Sequence, residues 1–248
     1  MIYLKSSKEI EIMRQAGRIA AQALSEVEKH IKIGTNIKEL DEIAEKVIDD
    51  MGAEASFKKV AGYKYCICAT PNAQVVHGIP GDYTLKGGDI VGVDLGAYYK
   101  GYHSDMAHTY SVGKVDSKKV KFLETGKKAL FEAIKEAKVG NKIGDIGNKI
   151  QTMVEESGYS VVKELVGHGV GKDLHEDPLV PGIGKKGTGP VLKEGMVLAI
   201  EVIYNMGKRN VVLLEDGWTI TTRDDSLSGL FERTIAVTKK GPVVLTKL

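Results

Sequence analysis

The sequence of 248 residues predicts an α+β fold in which an antiparallel sheet forms the core and helices pack on its outer face. Apolar residues at helical spacing occur in two pairs of segments, and each pair is followed by several short runs rich in β-branched and aromatic residues. The two halves of the chain also resemble each other in sequence. Helices that are grouped before the strands, rather than alternating singly with them, favour this arrangement over a doubly wound parallel sheet.

An internal duplication indicates how the domain is built. Residues 33–52 align without gaps with residues 139–158. A repeat of this length exceeds the roughly 20 to 50 residues of solenoid units. We therefore predict a single domain over residues 1–248, with pseudo-twofold halves at about residues 1–115 and 116–248.

Four helices follow from capping signals and periodic apolar residues. Ser6 and Glu9 predict a capping box before the first helix. Asn36 and Glu39 repeat this signature before the second helix, which Gly52 ends. The apolar positions that define the four helices fall in residues 10–27, 37–51, 120–134 and 143–154.

Eight β-rich runs complete the pattern, and glycine and polar clusters separate them. Three of these runs lie in the first half of the chain and five in the second. No linker or low-complexity segment interrupts the plan. The predicted strands cover residues 63–69, 90–98, 106–112, 161–166, 197–204, 211–214, 218–222 and 233–238.

The composition indicates a globular protein with an ordinary charge balance. Hydrophobic residues make up 42% of the chain, and the net charge is +2, so nothing favours a nucleic-acid partner. No apolar stretch approaches the roughly 20 residues that span a bilayer, and the first residues lack the features of a signal peptide. Cys66 and Cys68 are expected as reduced thiols on one face of a strand. We therefore expect a cytoplasmic protein without membrane contact.

Four acidic residues predict a cation site. Asp94 and Glu201 end similar apolar runs, and burying a lone carboxylate costs several kcal/mol. A simple hairpin between Asp94 and Asp105 would make them direct cross-strand neighbours, ~5 Å apart at Cβ, where like charges need a cation between them. The duplication matches these two residues with Glu201 and Glu232. A cation shared by all four carboxylates would resolve the repulsion.

Histidines accompany these carboxylates. His168 lies in the segment GHGVG, whose glycines allow close approach to a ligand, and His77 occupies the corresponding place in the first half. His175 follows seven residues after His168. A lone histidine in such a loop is more often structural, but the duplication favours function. The remaining histidines have no counterparts, and surface or packing roles are expected for His30, His103 and His108.

Four carboxylates and one imidazole suit hard or borderline divalent ions such as Co, Mn, Fe(II) or Zn. Four negative charges exceed what one dication neutralises. Two ions about 3.5 to 4 Å apart, bridged by carboxylates and a hydroxide, fit better. Such a centre acidifies bound water and polarises a scissile carbonyl, so the predicted chemistry is hydrolysis.

At these residues the chain resembles a known family, the type I methionine aminopeptidases of the pita-bread metallopeptidase fold. The resemblance runs nearly end to end and includes the motifs VHGIP (76–80), GHGVG (167–171) and HEDP (175–178). It implies a metal-dependent aminopeptidase that removes the N-terminal methionine from nascent proteins and peptides by attack of a hydroxide held between two metals. The implied ligands are Asp94, Asp105 and Glu232 for one metal, and Asp105, His168, Glu201 and Glu232 for the other.

The same resemblance implies roles around the metals. His77 would lie beside the scissile peptide nitrogen, His175 would stabilise the oxyanion, and Glu201 would shuttle a proton to the leaving amine. The thioether of methionine needs a soft, partly aromatic pocket. Its candidate lining residues are Tyr63, Tyr65, Cys68, Leu174 and Trp218. The family expectation is a monomer that acts on nascent polypeptides, with an encounter at the ribosome left open.

Two positions depart from the family pattern, and two other functions stay open. Val202 follows Glu201 where proline is usual, and Arg233 follows Glu232 where histidine is common. Strand alternation should point the Arg233 side chain away from the metals. A prolidase or aminopeptidase P relative shares the fold and ligands but usually carries a further N-terminal domain. A non-catalytic peptide-binding module would be expected to lose ligands, and this chain keeps all five.

Overall fold

The helices come in two pairs, and strands follow each pair in the predicted order. Residues 1–247, which the computed structural model describes, contain four α-helices and fifteen β-strands. The helices are α1 (Ser7–His30), α2 (Ile37–Asp50), α3 (Ser117–Lys135) and α4 (Ile143–Glu156). The strands are β1 (Glu54–Ala55), β2 (Ile67–Pro71), β3 (Gln74–Val76), β4 (Ile90–Leu95), β5 (Ala97–Tyr99), β6 (Tyr102–His103), β7 (Met106–Ser111), β8 (Ser160–Val161), β9 (Val166–Gly169), β10 (Glu176–Pro181), β11 (Val197–Asn205), β12 (Val211–Leu213), β13 (Ile220–Thr222), β14 (Ser228–Thr238) and β15 (Gly241–Val244).

Local sequence signals fix the helix ends. The Ser6 hydroxyl accepts a hydrogen bond from the Glu9 amide, and the Glu9 carboxylate accepts one from the Ser6 amide at 2.7 Å, so the predicted capping box before α1 is present. The Asn36 side chain caps the first turn of α2. All four predicted helices are confirmed. None of the helices within residues 1–247 combines the length and the apolar character that a membrane span requires.

One large antiparallel sheet carries most of the strands. Its order is β10-β9-β11-β14-β7-β4-β2, with β15 added beside β14 and β8 beside β11. Two small sheets, β1-β5-β6 and β12-β13-β3, flank it within residues 1–247. The prediction of an α+β fold with an antiparallel sheet core is confirmed.

Side-chain alternation gives the large sheet a helix-facing side and a second side that carries the acidic residues. Val93 of β4 packs in a core with α1 and α2, so its neighbour Asp94 faces the other way. Ile200 of β11 packs in a second core with α3 and α4, which turns Glu201 to the same side as Asp94. The helices on the outer face thus leave the inner face free for the carboxylates.

The turn between β5 and β6 is centred one residue later than predicted, and this changes the partner of Asp94. Lys100 and Gly101 have φ values of +48° and +87°, the left-handed region that tight two-residue hairpin turns require. The register of β4 with β7 therefore places Asp94 opposite Ala107. The prediction that Asp94 and Asp105 lie directly opposite each other was wrong, because moving the turn centre by one residue moves the partner by two.

Two predicted strands are each divided in two. At Gly96 the chain leaves β4, and a Cβ there would lie 2.1 Å from the Ser104 carbonyl oxygen, so only glycine permits this approach. The predicted strand 161–166 becomes β8 and the start of β9, which pair with different parts of β11.

The two cysteines do not share a strand face, contrary to the prediction. The Asp41 carboxylate accepts hydrogen bonds from the Cys66 and Ile67 amides, at 2.8 and 2.9 Å, at the point where β2 begins. Cys66 therefore lies ahead of the strand and packs in the core beside α1 and α2. Cys68 lies within β2 and faces a different cluster. Both thiols are free and buried.

Candidate metal centre and substrate cavity

A row of directly opposed residues crosses five strands of the large sheet. Cys68 on β2 pairs with Asp94 on β4, and Asp94 pairs with Ala107 on β7. Ala107 pairs in turn with Glu232 on β14, and Glu232 pairs with Glu201 on β11. Opposed residues share one face, with Cβ atoms ~5 Å apart. Three carboxylates therefore lie along one line, and the small Ala107 side chain leaves a gap in the middle.

The fourth carboxylate and an imidazole complete the group. One ligand atom from each of Asp105, His168 and Glu232 lies within 4.8 Å of the others. His168 Nε2 is 3.6 Å from Asp105 Oδ2. Nδ1 of the same ring lies 2.9 Å from the Gly169 carbonyl oxygen, which can only accept, so Nδ1 carries the proton. Nε2 is then free to bind a cation.

The electrostatics of the group fit a divalent cation. Burial raises the pKa of Asp94, Asp105 and Glu232 well above the usual range, and neighbouring carboxylates raise it further. Burial also raises the pKa of Glu201 to about 7 and lowers the pKa of His168 to about 4. The Oδ1 atoms of Asp94 and Asp105 are buried without a hydrogen-bond donor among the described residues. Orphaned oxygens beside an imidazole are a suitable donor set for borderline dications.

Threonine hydroxyls join β7, which begins directly after Asp105, to β14, which carries Glu232. β7 and β14 pair in register at two positions, and hydroxyls bridge the strands on either side. The Thr234 hydroxyl accepts from the Asp105 amide at 2.9 Å and donates to the Asp105 carbonyl oxygen at 2.7 Å. The Thr109 hydroxyl makes the same two bonds, both at 2.9 Å, with the backbone of Leu230. We call this junction the threonine seam; it sets the spacing of the carboxylates on the two strands.

A cavity of about 320 Å³ opens over the acidic row. One part of its wall is a cluster of apolar and aromatic side chains, formed by Phe57, Val60, Tyr63, Cys68, Leu174 and Trp218. Another part is mainly aliphatic and is formed by Val76, Leu165, Val166 and Ile203, with Glu164 beside them. The acidic group therefore lies between a soft aromatic pocket and an aliphatic wall.

Most of the residues predicted for a methionine pocket lie in this aromatic part. Tyr63, Cys68, Leu174 and Trp218 line the cavity. Tyr65 is not among the lining residues of the described chain; it packs edge-on against Tyr63, with ring centroids 5.7 Å apart. The Tyr63 hydroxyl donates to the Ile67 carbonyl oxygen at 2.8 Å, which holds its ring in the wall.

His77 and His175 also line the cavity. His77 has φ +56°, a left-handed backbone conformation that few non-glycine residues adopt. Desolvation by the cavity wall lowers the pKa of both imidazoles, and His175 lowers the pKa of His77 further. Both rings are therefore neutral near pH 7. The rings of His168 and His175 pack against each other with centroids 4.4 Å apart.

The two departures from the family pattern lie on the helix-facing side of the sheet. The Arg233 guanidinium donates to the carbonyl oxygens of Ala107 and Glu232, at 3.1 and 2.6 Å. It therefore binds the backbone behind the acidic row, as strand alternation predicts, and does not compete for the carboxylates. Val202 is fully buried in the core with α3 and α4.

Sequence reasoning missed several residues that shape the site. Phe57 and Val60 line the aromatic pocket, but they lie outside any periodic segment. Ala107 and Thr234 look like ordinary core residues. The internal duplication aligns residue 107 with residue 234, and this was the available signal that both lie at equivalent points beside the ligands.

Comparison with known proteins places this site in a family. A model of metallopeptidase family M24 matches residues 11–239. The chain is 48% identical over 248 residues to methionine aminopeptidase 1 of Bacillus subtilis, with all of both chains covered. It is 45% identical over 246 residues to methionine aminopeptidase of Clostridium perfringens, with 99% of both chains covered.

Solved structures of related proteins have the same fold as this chain. The chain superposes on methionine aminopeptidase from Thermotoga maritima with a TM-score of 0.98 at 42% identity, covering 100% of both chains. It superposes on prolidase from Pyrococcus furiosus with a TM-score of 0.79 at 27% identity, covering 99% of this chain but 65% of the prolidase. The prolidase thus has a substantial part with no counterpart in residues 1–248.

Proposed function

The chain belongs to metallopeptidase family M24, and we propose that it is a methionine aminopeptidase, which hydrolyses the first peptide bond of chains that begin with methionine. The observation that carries this proposal is the position of the acidic group beside a pocket of matching chemistry. Phe57, Tyr63 and Trp218 offer ring surfaces, and Cys68 offers a polarisable sulfur. Flexible thioethers make favourable contacts with such rings. The full-length similarity to methionine aminopeptidases supports the same conclusion.

We propose that two divalent ions, of Co, Mn, Fe(II) or Zn, bind in this group. Asp94 would bind one ion, His168 and Glu201 would bind the other, and Asp105 and Glu232 would bridge the two. The orphaned Asp94 and Asp105 oxygens and the raised pKa of the carboxylates support this assignment. When bound, the ions supply Lewis acidity, which makes a water molecule nucleophilic near neutral pH and polarises the scissile carbonyl.

The residues of the chain supply the proton transfers and the orientation of the substrate. The Glu201 carboxylate can take a proton from the attacking water and release it to the leaving amine. Neutral His175 can donate a hydrogen bond to the oxygen that becomes negatively charged in the transition state. His77 can bind the scissile peptide nitrogen. The aromatic pocket excludes water from the methionine side chain.

We further propose that residues 1–248 act as one catalytic domain with pseudo-twofold halves, as a monomer in the cytoplasm, on nascent polypeptides. The two free thiols suit a reducing compartment. The carboxylates come from strands of both halves, so neither half alone would hold the ions. Nucleic acid and membranes are not expected as partners.

Release of methionine from short peptides tests the proposed function. The protein is stripped of metal, reloaded with Mn(II) or Co(II), and incubated with Met-Ala-Ser, Met-Leu-Ser or Ala-Pro-Ser. We expect free methionine from Met-Ala-Ser, with bound metal counted by mass spectrometry under native conditions. No methionine under any of these ions would reject the proposal, and cleavage of Ala-Pro-Ser alone would favour an Xaa-Pro peptidase.

A variant of His175 separates chemistry from metal binding. His175→Ala should lower kcat roughly 10²- to 10³-fold, the usual effect of losing one oxyanion donor, while the metal content is unchanged. A variant that loses its metal together with its activity would contradict the role given to His175.

A further inference from the structure

A buried ion pair lies directly behind the residue that we place at the oxyanion. Lys5 Nζ is 2.6 Å from Glu176 Oε2, and the two side chains are only 5% and 8% exposed. Lys5 belongs to the segment that precedes α1, and Glu176 follows His175 in the chain. His175 lines the cavity, whereas neither member of the pair does so within the described residues. The pair therefore supports residues 171–176, here called the catalytic loop, from outside the cavity.

The partners of the ion pair are themselves fixed by backbone contacts. The Lys5 amide donates to the Gly195 carbonyl oxygen at 2.7 Å. A Cβ at Gly195 would lie 2.7 Å from the Lys5 carbonyl oxygen, so the two backbones are in direct contact. Gly195 is followed closely by β11, the strand of Glu201. Lys5 is thus anchored through its backbone to the turn that leads into β11.

The Glu176 carboxylate also organises the loop ahead of it. Its Oε1 atom accepts a hydrogen bond from the Asp173 amide at 3.3 Å. A Cβ at Gly171 would lie 2.2 Å from the same Oε1, so the carboxylate occupies the space that any other residue at position 171 would fill. The Gly171 carbonyl oxygen accepts from the His103 amide at 2.8 Å. The loop 171–176 is therefore contacted by the Glu176 carboxylate at Gly171 and Asp173, and His103 binds Gly171 independently.

Stability alone does not account for this pair. Removing two charges from water is costly, and replacing a buried pair by apolar residues of similar size is often neutral or stabilising. What such a pair does provide is a fixed geometry, because separating the two groups would leave each buried charge without its partner. An oxyanion donor depends on such precision: a misplacement of ~1 Å can lower the rate by ~10²-fold.

We propose that Lys5 is a positioning residue for catalysis, which holds Glu176 and thereby aims His175 at the scissile carbonyl. This inference rests on the proposed function, because it assigns Lys5 a part in the same reaction. Lys5 does not contact the substrate. It couples the segment before α1 to the catalytic loop through a buried ion pair, whereas the second pair between these segments, from the Met1 amino group to Asp177, is exposed.

The first test compares the loss of one charge of the pair with the replacement of both charged residues by apolar ones. Lys5→Met should lower kcat on Met-Ala-Ser roughly 10-fold or more, with KM changed less than about twofold. Because Lys5→Met leaves a buried carboxylate unpaired, the variant Lys5→Met/Glu176→Leu removes both charges and should recover thermal stability without recovering kcat. Lys8→Met, at an exposed lysine of α1, is the matched control and should behave as wild type. Wild-type kcat in the double variant would overturn the proposal.

The second test asks whether Lys5 acts through His175. In a double-mutant cycle, Lys5→Met should have little further effect on kcat in a His175→Ala background. An equal fold-loss in both backgrounds would overturn the proposal, because Lys5 would then act on something other than His175.

The third test does not depend on activity. Amide hydrogen exchange of residues 171–176 should be at least ~10-fold faster in Lys5→Met, which keeps the Glu176 carboxylate, than in wild type, with the large sheet unchanged. Unchanged exchange in this loop would overturn the proposal. If wild-type protein released no methionine, the proposed function would be rejected instead, and the exchange result would still show whether Lys5 holds the loop.

Discussion

Glu201 on β11 and Glu232 on β14 lie directly opposite each other in the antiparallel ladder. Two like charges in opposed positions destabilise a sheet, and both carboxylates have pKa values raised by burial. The metal-free group therefore retains protons near neutral pH. Binding of divalent ions must release these protons, so metal affinity should rise with pH.

Glu232→Ala should abolish binding of both metal ions, since Glu232 lies at the centre of the ligand group. Asp94→Ala should weaken one site more than the other, because Asp94 is the outermost of the three carboxylates in the row. Metal content, counted by native mass spectrometry after dialysis, distinguishes the two variants. Glu215→Ala, at an exposed carboxylate, is the control and should bind like wild type. Full metal content in Glu232→Ala would disprove the bridging role.

Ala107→Val should reduce metal binding while the fold is retained. Its side chain lies between Asp94 and Glu232, and two added methyl groups would fill the gap in the row. Overpacking of this kind costs roughly 1 to 3 kcal/mol of folding free energy. Titration calorimetry with Mn(II) measures the affinity. Ala107→Gly leaves the gap open and should bind metal; equal affinities in the two variants would contradict the argument.

Thr234→Val should lower the free energy of unfolding by roughly 1 to 3 kcal/mol, because it leaves the buried Asp105 amide and carbonyl without a partner. It should also weaken metal binding, since Asp105, which we propose as a metal ligand, is bonded to the threonine seam. Urea denaturation of the metal-free protein measures the first effect. Thr234→Ser keeps the hydroxyl and should restore most of the lost stability. If Thr234→Ser were as unstable as Thr234→Val, the hydroxyl would not be responsible for the loss.

Phe57→Ala should lower kcat/KM for Met-Ala-Ser about 10- to 100-fold. Phe57 is 7% exposed and lines the aromatic pocket. Burial of apolar surface of this size stabilises by roughly 1.5 to 3 kcal/mol, and we expect a loss of this order in the binding of the transition state. Initial rates over a range of substrate concentrations provide the measurement. Phe131→Ala, at a phenylalanine of α3 that is 41% exposed, is the matched control. Unaltered kinetics in Phe57→Ala would place the methionine elsewhere.

Burial of the neutral His103 imidazole should make the folded protein less stable in acid than at neutral pH. Burial lowers its pKa to about 4, below the ordinary value of 6.5, and its Nδ1 lies 2.9 Å from the Ser56 hydroxyl. The unfolded chain therefore binds a proton between pH 6.5 and 4 that the folded chain excludes. The contribution of neutral His103 to the free energy of unfolding is fully present above pH 6.5. It is lost as the pH falls towards 4, by up to about 3 kcal/mol.

The variant His103→Gln checks this pH dependence. Urea unfolding at several pH values between 7 and 4 should give a shallower loss of stability for His103→Gln than for wild type. The comparison isolates His103, since the other histidines are present in both proteins. Parallel pH profiles would show that His103 does not contribute.

The sequence was sufficient for the helices, the sheet class and the identity of the acidic group, because each depends on local pattern. Periodic apolar residues and caps define the helices, and alternation along β4 and β11 sends Asp94 and Glu201 to one face. The pairing of Asp94 could not be predicted correctly. It depends on whether the turn is centred one residue earlier or later, and the left-handed conformation of Lys100 decides this.

The surroundings of the acidic group were harder to predict, because their importance comes from position alone. Ala107 and Thr234 are typical core residues until the register places them beside ligands from other strands. Lys5 appears in the sequence as an ordinary charged residue near the start of the chain. Its partner is 171 residues away, a separation that no local pattern bridges.

The threonine seam has a consequence for how long the folded protein survives. β7 and β14 meet at few backbone positions, and Asp105 and Glu232 lie on opposite sides of that junction. Ions held between them would act as clamps that must be released before the two strands can separate. Such clamps slow unfolding without speeding the early steps of folding. Chelation should therefore shorten the half-life of the native state, so the same ions that serve hydrolysis would also set the protein's working lifetime.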